Sequence, residues 1–157
     1  MNIVKGDLLK LAEKGEFDVI VHGCNCHNNF GAGIALQIAN RYPQADYTDK
    51  STIRDDKTKL GTYTRSIGFS KTTKVNSFII INAYTQYSTN VSKHVDLFEY
   101  AAFQNILNSL AEEYPDSRFG FPKIGCGLAS ENERRILDMI DDFSKLINGS
   151  VTVVEFG

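Results

Sequence analysis

Two stretches of this 157-residue sequence combine the residue types that hold anions and move protons. The first is His22-Gly23-Cys24-Asn25-Cys26-His27-Asn28-Asn29-Phe30-Gly31-Ala32-Gly33-Ile34-Ala35. The second is Pro122-Lys123-Ile124-Gly125-Cys126-Gly127-Leu128-Ala129-Ser130. Each leads from a strand-like segment into a helix-like one. The first N–H groups of a helix lack intrahelical partners and carry about half a positive charge. Glycine lets a bulky anion come close to that backbone. Two such loops could grip a diphosphate between them; the plainer alternative is a pair of tight turns. Asn25 offers both a donor and an acceptor, or simply closes a turn. His22 brings an imidazole suited to general-acid work near neutral pH, or a hydrogen-bonded residue at a strand end. His27 is a second candidate, whereas His94 opens a helix and reads as surface.

Other chemistries fit less well. There is no Gly-x4-Gly-Lys-Ser/Thr phosphate loop, and Gly31-Ala32-Gly33 lacks the third glycine of a dinucleotide fingerprint. Asn132 stands six residues after Cys126 where a cysteine-based phosphatase needs arginine. His22, Cys24, Cys26 and His27 are zinc-type ligands, but neighbours at one strand end suit a tetrahedron poorly and no second Cys/His pair follows. No metal or cofactor is expected.

The elements that must position these loops follow from the pattern. A short strand at Ile3-Val4 leads into a helix capped by Asp7 and ended by Gly15. Phe17 to His22 reads as a buried strand, Gly31 to Tyr42 as a helix stopped by Pro43, and residues 44–60 as a loose helix or loop. Strands follow at Gly61 to Phe69 and Val75 to Tyr84, the second apolar enough to be central in a sheet. Val95 to Tyr114 is an amphipathic helix, with Phe98, Ala102, Ile106 and Leu110 four apart. A short strand ends at Pro122, a capping box of Ser130 and Glu133 opens the last helix, and Val151 to Phe156 closes the chain as a strand. Alternating strands and helices imply a single α/β domain with a mostly parallel sheet.

Composition narrows the partners. Seventeen Lys and Arg against 19 Asp and Glu leave a net charge of -2, which argues against general nucleic-acid binding. No apolar run approaches the roughly 20 residues of a membrane span. Three cysteines and a strand-like start with no signal peptide point to a reduced, cytoplasmic protein, expected to be a monomer.

His22-Gly-Cys-Asn-Cys, Gly31-Ala-Gly-Ile-Ala and Arg41-Tyr42-Pro43 together resemble the macrodomain family. Lys5-Gly6-Asp7 and Pro122-Lys-Ile-Gly-Cys-Gly-Leu lie in that family's order, so the resemblance spans nearly the whole chain. It is nearest the branch of yeast-type ADP-ribose-1''-phosphate phosphatases and the terminal ADP-ribose protein glycohydrolase. The resemblance implies one macrodomain over residues 1–157, a three-layer α/β/α fold around a mixed, mostly parallel sheet. It implies ADP-ribose as ligand, with Asp7, beside Leu8, accepting from the adenine amino group and Asn25 orienting the distal ribose. Gly31, Ala32, Gly33 and Ile34 would wrap the ribose and diphosphate, faced by Gly125, Cys126, Gly127 and Leu128. Tyr84, Thr85 and Gln86 would line the distal ribose.

Departures from the branch shape the expected activity. Tyr84-Thr85-Gln86 replaces the region of the glycohydrolase lysine, and Ala129 its aspartate. Val154 stands where a tyrosine often stacks on adenine; Phe156 is a substitute, though a core role suits it better. The expected activity is therefore hydrolysis of ADP-ribose-1''-phosphate, with His22 and Asn25 catalytic. The alternatives are a non-catalytic ADP-ribose reader, or a hydrolase removing ADP-ribose from protein or nucleic acid.

Overall fold

The computed structural model describes residues 1–30, 33–70, 76–87, 98–124 and 130–156. The elements in chain order are β1 (Asn2–Lys5), α1 (Leu8–Glu13), β2 (Val19–Asn25), α2 (Gly33–Arg41), α3 (Pro43–Lys50), a 3-10 turn (Lys57–Lys59), β3 (Tyr63–Phe69), β4 (Ser77–Gln86), α4 (Tyr100–Glu113), β5 (Arg118–Pro122), α5 (Ser130–Leu146) and β6 (Ser150–Glu155). One six-stranded sheet runs β1-β6-β5-β2-β4-β3. Only the β3–β4 pair is antiparallel; the others are parallel.

Helices cover both faces, giving three layers. On one face α4 and α5 pack Phe103, Ile106, Leu110, Ile136, Ile140 and Phe143 against Val21, Ile81, Phe119 and Val153. On the other, α1, α2 and α3 bring Leu9, Ile38 and Ala45 onto Ile20, Ile80 and Val154. Alternate residues of β2 serve opposite layers, as strand pleating requires. Each large aliphatic or aromatic side chain buried this way contributes about 1.5–3 kcal/mol.

The structure amends the expected elements in three places. β4 is not central: it lies next to the edge strand β3, while β2 and β5 hold the middle. Pro43 is the first residue of α3, where its missing N–H costs nothing. Residues 44–60 thus hold an ordered helix and a 3-10 turn. At the far end, Gly149 runs so close to β5 that an added Cβ would sit 1.9 Å from the Ser117 carbonyl oxygen. Among the described residues, no helix is long and apolar enough to cross a membrane.

Candidate functional site

A cleft of about 550 Å³ opens where β2, β4, β5 and β6 end. That is the usual ligand position in an open α/β sheet, and the volume suits a nucleotide-sized molecule. Gly6 to Leu9 and Val154 to Phe156 form one wall, Gly33, Ile34 and Gln37 another, with Pro122 to Ile124 opposite. Gly23 and Thr85 lie at the base, and a Cβ on Gly23 would meet Thr85 Oγ1 at 3.0 Å, so only glycine fits there comfortably.

Asp7 caps α1: its Oδ1 accepts from the Leu9 and Lys10 amides at 3.0 and 3.1 Å. Its second oxygen, Oδ2, keeps no partner among the described residues. Leu8 lies beside it in the wall. Gly33 starts α2 with φ +60 and open space around it, so the unpaired amides of the first turn of α2 stand at the cleft. Ile34, Thr85 and Gln86 also line the cleft. Gly31, Ala32, Gly125, Cys126, Gly127, Leu128, Ala129 and His94 lie outside the described residues.

Three expected site residues are placed differently. His22 is 1% exposed, its Nε2 lies 2.7 Å from Asn82 Oδ1, and its ring meets Phe30 edge-on. Burial lowers its pKa to about 4, against some support from Asn82, so at neutral pH it is an uncharged core residue rather than a general acid. Tyr84 points to the α3 side, donating its hydroxyl proton to Asp49 Oδ1 at 2.8 Å and lying 3.1 Å from Thr64 Oγ1. Strand alternation puts it on the sheet face opposite that of Thr85, and Tyr84 is not among the residues that line the cleft. Asn25 spends its amide on its own loop: Oδ1 accepts from the His27 amide at 2.8 Å and Nδ2 donates to the Asn29 carbonyl at 3.1 Å. The turn-closing role is the one observed.

That loop is held from outside by residues 52–59. The Lys59 ammonium, on a side chain only 7% exposed, donates to Asn28 Oδ1 at 2.6 Å and Thr52 Oγ1 at 2.9 Å. Asn28 Nδ2 donates to the Thr52 carbonyl at 2.9 Å, and the Asp55 amide to the Cys26 carbonyl at 2.8 Å. Cys24 and Cys26 are buried free thiols, and burial pushes both pKa values up, which suits packing rather than nucleophilic attack. Among the described residues, no three His, Cys, Asp or Glu side chains are grouped to hold a metal ion.

Sequence reasoning missed parts of the wall. Phe156 is 80% exposed beside the cleft, because β6 ends at Glu155 and releases the next side chain from the sheet. The core role expected for it is overturned. Lys123 at the opposite rim reaches Glu133 Oε1 at 2.6 Å and Glu155 Oε1 at 3.0 Å, and these carboxylates hold its pKa well above the usual lysine range. The side chain of Ser130, the other half of the expected capping box, lies outside the described residues.

No protein-family model matches the chain. An uncharacterised 17.5 kDa protein of Enterobacteria phage T4, from its tk-vs intergenic region, is 32% identical over 147 residues, covering 90% of this chain and 88% of that one. An ADP-ribose 1''-phosphate phosphatase of Lodderomyces elongisporus is 24% identical over 149 residues, 88% of this chain and 91% of that one. A protein of the same name from Saccharomyces cerevisiae is 46% identical over 43 residues, 27% of this chain and 23% of that one. The macrodomain protein of Streptomyces coelicolor superposes with a TM-score of 0.70 over 99% of both chains at 18% identity. The chain is a macrodomain. Within the family it stands nearest the branch named for ADP-ribose-1''-phosphate phosphatases. The macrodomain also superposes on Thermosipho africanus DarTG, solved in complex with ADP-ribose, with a TM-score of 0.69 over 99% of this chain and 42% of that one at 13% identity.

Proposed function

We propose that this macrodomain binds ADP-ribose and hydrolyses ADP-ribose-1''-phosphate to ADP-ribose and phosphate. The observation that carries the reading is one cleft with a carboxylate acceptor and an exposed aromatic at one end and a helix N-terminus at the other. Adenine fits between Asp7, whose Oδ2 accepts from the amino group, and the Phe156 ring, which takes the stacking place that Val154 leaves open. The diphosphate then lies over Gly33 and Ile34, where α2 offers free amides and a partial positive charge. Gly31, Ala32 and Gly125 to Leu128, which the sequence resemblance assigns to the same cradle, lie outside the described residues. The distal ribose reaches Thr85 and Gln86. The phosphatase names of two relatives support phosphate-ester hydrolysis at that ribose.

Burial of His22 favours a second reading, an ADP-ribose reader without turnover. The two are separated by incubating the metal-free protein with ADP-ribose-1''-phosphate and measuring free phosphate while titrating ADP-ribose calorimetrically. Phosphate release supports the enzyme; binding without release leaves the reader. An ADP-ribosylated protein and an ADP-ribosylated oligonucleotide run in parallel test removal of ADP-ribose from macromolecules. No binding of ADP-ribose would refute both readings.

A further inference from the structure

With His22 sealed in the core, a proton donor for the distal end must come from elsewhere, and one imidazole in the described structure is prepared for it. We propose that His27, oriented by Asp55, is the general acid of this site; the inference rests on the phosphatase reading. His27 Nδ1 is hydrogen-bonded to Asp55 Oδ1. Its Nε2 keeps no partner among the described residues, and its side chain is 25% exposed. Fixing one ring nitrogen by a carboxylate while leaving the other free is the arrangement that orients an acid–base histidine.

An exposed His–Asp contact is ordinarily worth little and held loosely. This one is built in from several sides. The Asp55 amide donates to the Cys26 carbonyl at 2.8 Å, locking the carboxylate's backbone to the loop that carries His27. The Tyr87 ring lies 4.7 Å from the imidazole, and its hydroxyl donates to the Asp55 carbonyl at 3.3 Å. The two non-glycine residues described with positive φ are Asn28, at 57, next to His27 in the chain, and Asp55 itself, at 60. Such backbone is unfavourable for side-chain-bearing residues and is kept where surrounding contacts impose it.

Chain position ties the pair to the cleft. In the chain His27 lies between Gly23, at the base of the cleft, and Gly33, in its wall, and Tyr87 directly follows Gln86, which lines it. His27, Asp55 and Tyr87 do not themselves line the cleft; Asn25 pairs with Gln86 across β2 and β4, so the dyad stands just outside the Thr85–Gln86 lining, and the phosphate on the distal ribose would extend out to it. The bond between phosphorus and O1'' breaks with its electron pair going to O1'', which takes the proton of Nε2. The oxygen of a water molecule bonds to phosphorus. One of that water's protons then passes from the departing phosphate to Nε2, so the cycle consumes one water and restores the acid. Among the described residues, the other charged groups near the dyad include Arg54, 3.8 Å from Asp55 Oδ1, Lys59, whose charge also favours the Asp55 carboxylate, and Lys57, whose ammonium lies 4.8 Å from the Tyr87 ring centroid.

The test uses the whole chain with ADP-ribose-1''-phosphate. His27→Ala is expected to lower kcat about 10²–10⁴-fold, with the Kd for ADP-ribose unchanged. Added imidazole should restore part of that loss, which a merely structural residue would not allow. His27→Asn, which can still donate to Asp55 but whose amide protons are far too weakly acidic to transfer to O1'', should be as slow as His27→Ala. Asp55→Asn should lower kcat with little change in KM, and Asp55→Glu should recover part of it. Wild-type kcat in His27→Ala, or a loss that tracks weakened ADP-ribose binding and ignores imidazole, would overturn the assignment while leaving the phosphatase reading intact. If the wild-type protein itself releases no phosphate, the phosphatase reading fails and the dyad's role falls with it.

Discussion

Asp7 is assigned two duties, and one substitution separates them. Its Oδ1 caps α1 through the Leu9 and Lys10 amides, while Oδ2 is left for the ligand. Asp7→Ala removes both functions. Loss of an N-cap costs about 1 kcal/mol, within a range of about 0.5–2, which lowers Tm by about 2–4 °C in a chain of this size. Asp7→Ser keeps a capping oxygen, since serine caps about as well as aspartate, so Tm should stay within about 1 °C of wild type. The serine hydroxyl is shorter by one bond and offers no second oxygen to the adenine amino group. A hydrogen bond to a charged acceptor is worth about 1.5–3 kcal/mol, so ADP-ribose should bind about 10- to 150-fold more weakly to Asp7→Ser. Calorimetry with a purine analogue of ADP-ribose lacking the 6-amino group completes a cycle. Wild type should prefer the amino form by that factor, and Asp7→Ser should show almost no preference. If Asp7→Ser binds ADP-ribose as wild type does, or retains the preference, Asp7 is only a helix cap and adenine lies elsewhere.

Phe156→Ala should weaken ADP-ribose binding by about 1–3 kcal/mol, the usual value of base stacking on an aromatic side chain, and leave the melting curve unchanged because the ring is 80% exposed. Gly149→Ala should destabilise the fold by about 1–3 kcal/mol or more in urea titration, since its Cβ would lie 1.9 Å from the Ser117 carbonyl oxygen, a backbone atom with little room to move. Burial lowers the His22 pKa from 6.5 to about 4 in the folded protein, so below about pH 6.5 the unfolded chain binds the extra proton and stability falls as pH drops towards 4. Denaturant titrations at pH 7 and pH 4 should show wild type losing about 3 kcal/mol more than His22→Gln, which does not titrate; equal losses would refute the burial assignment.

The order of strands and helices was legible because their apolar periods are strong and their capping residues conventional. Asp7 as a cap needed only its place before Leu8 and Leu9. The apolar run of β4 reports burial on both faces, a condition that a strand next to an edge also meets, so centrality did not follow. His22 and Tyr84 illustrate a signal present but not used. Counting by twos from Ile20 puts His22 and Cys24 on one face, opposite Val21 and Gly23, and the same count on β4 pairs Asn82 with Tyr84. Phe156 reads as another strand residue until the strand is seen to stop at Glu155. The contacts of Asp55 and Lys59 with the His27–Asn28 loop had no such signal. They join residues 28 and 31 positions apart through the path of α3, which no local pattern records.

The two helical coats of the sheet are chemically unequal. The α4–α5 side is packed from aliphatic and aromatic residues, whereas His22, Asn82, Asp49 and Lys59 all lie under the α2–α3 side. Among the described residues, the buried polar groups that acid can reach therefore lie under only one of the two coats. Mild acidification should loosen the protein asymmetrically, with the amides of α2 and α3 exchanging their hydrogens well before those of α4 and α5. Since α2 also forms a wall of the cleft, ligand occupancy should slow that first opening, so that bound nucleotide and proton resistance rise together.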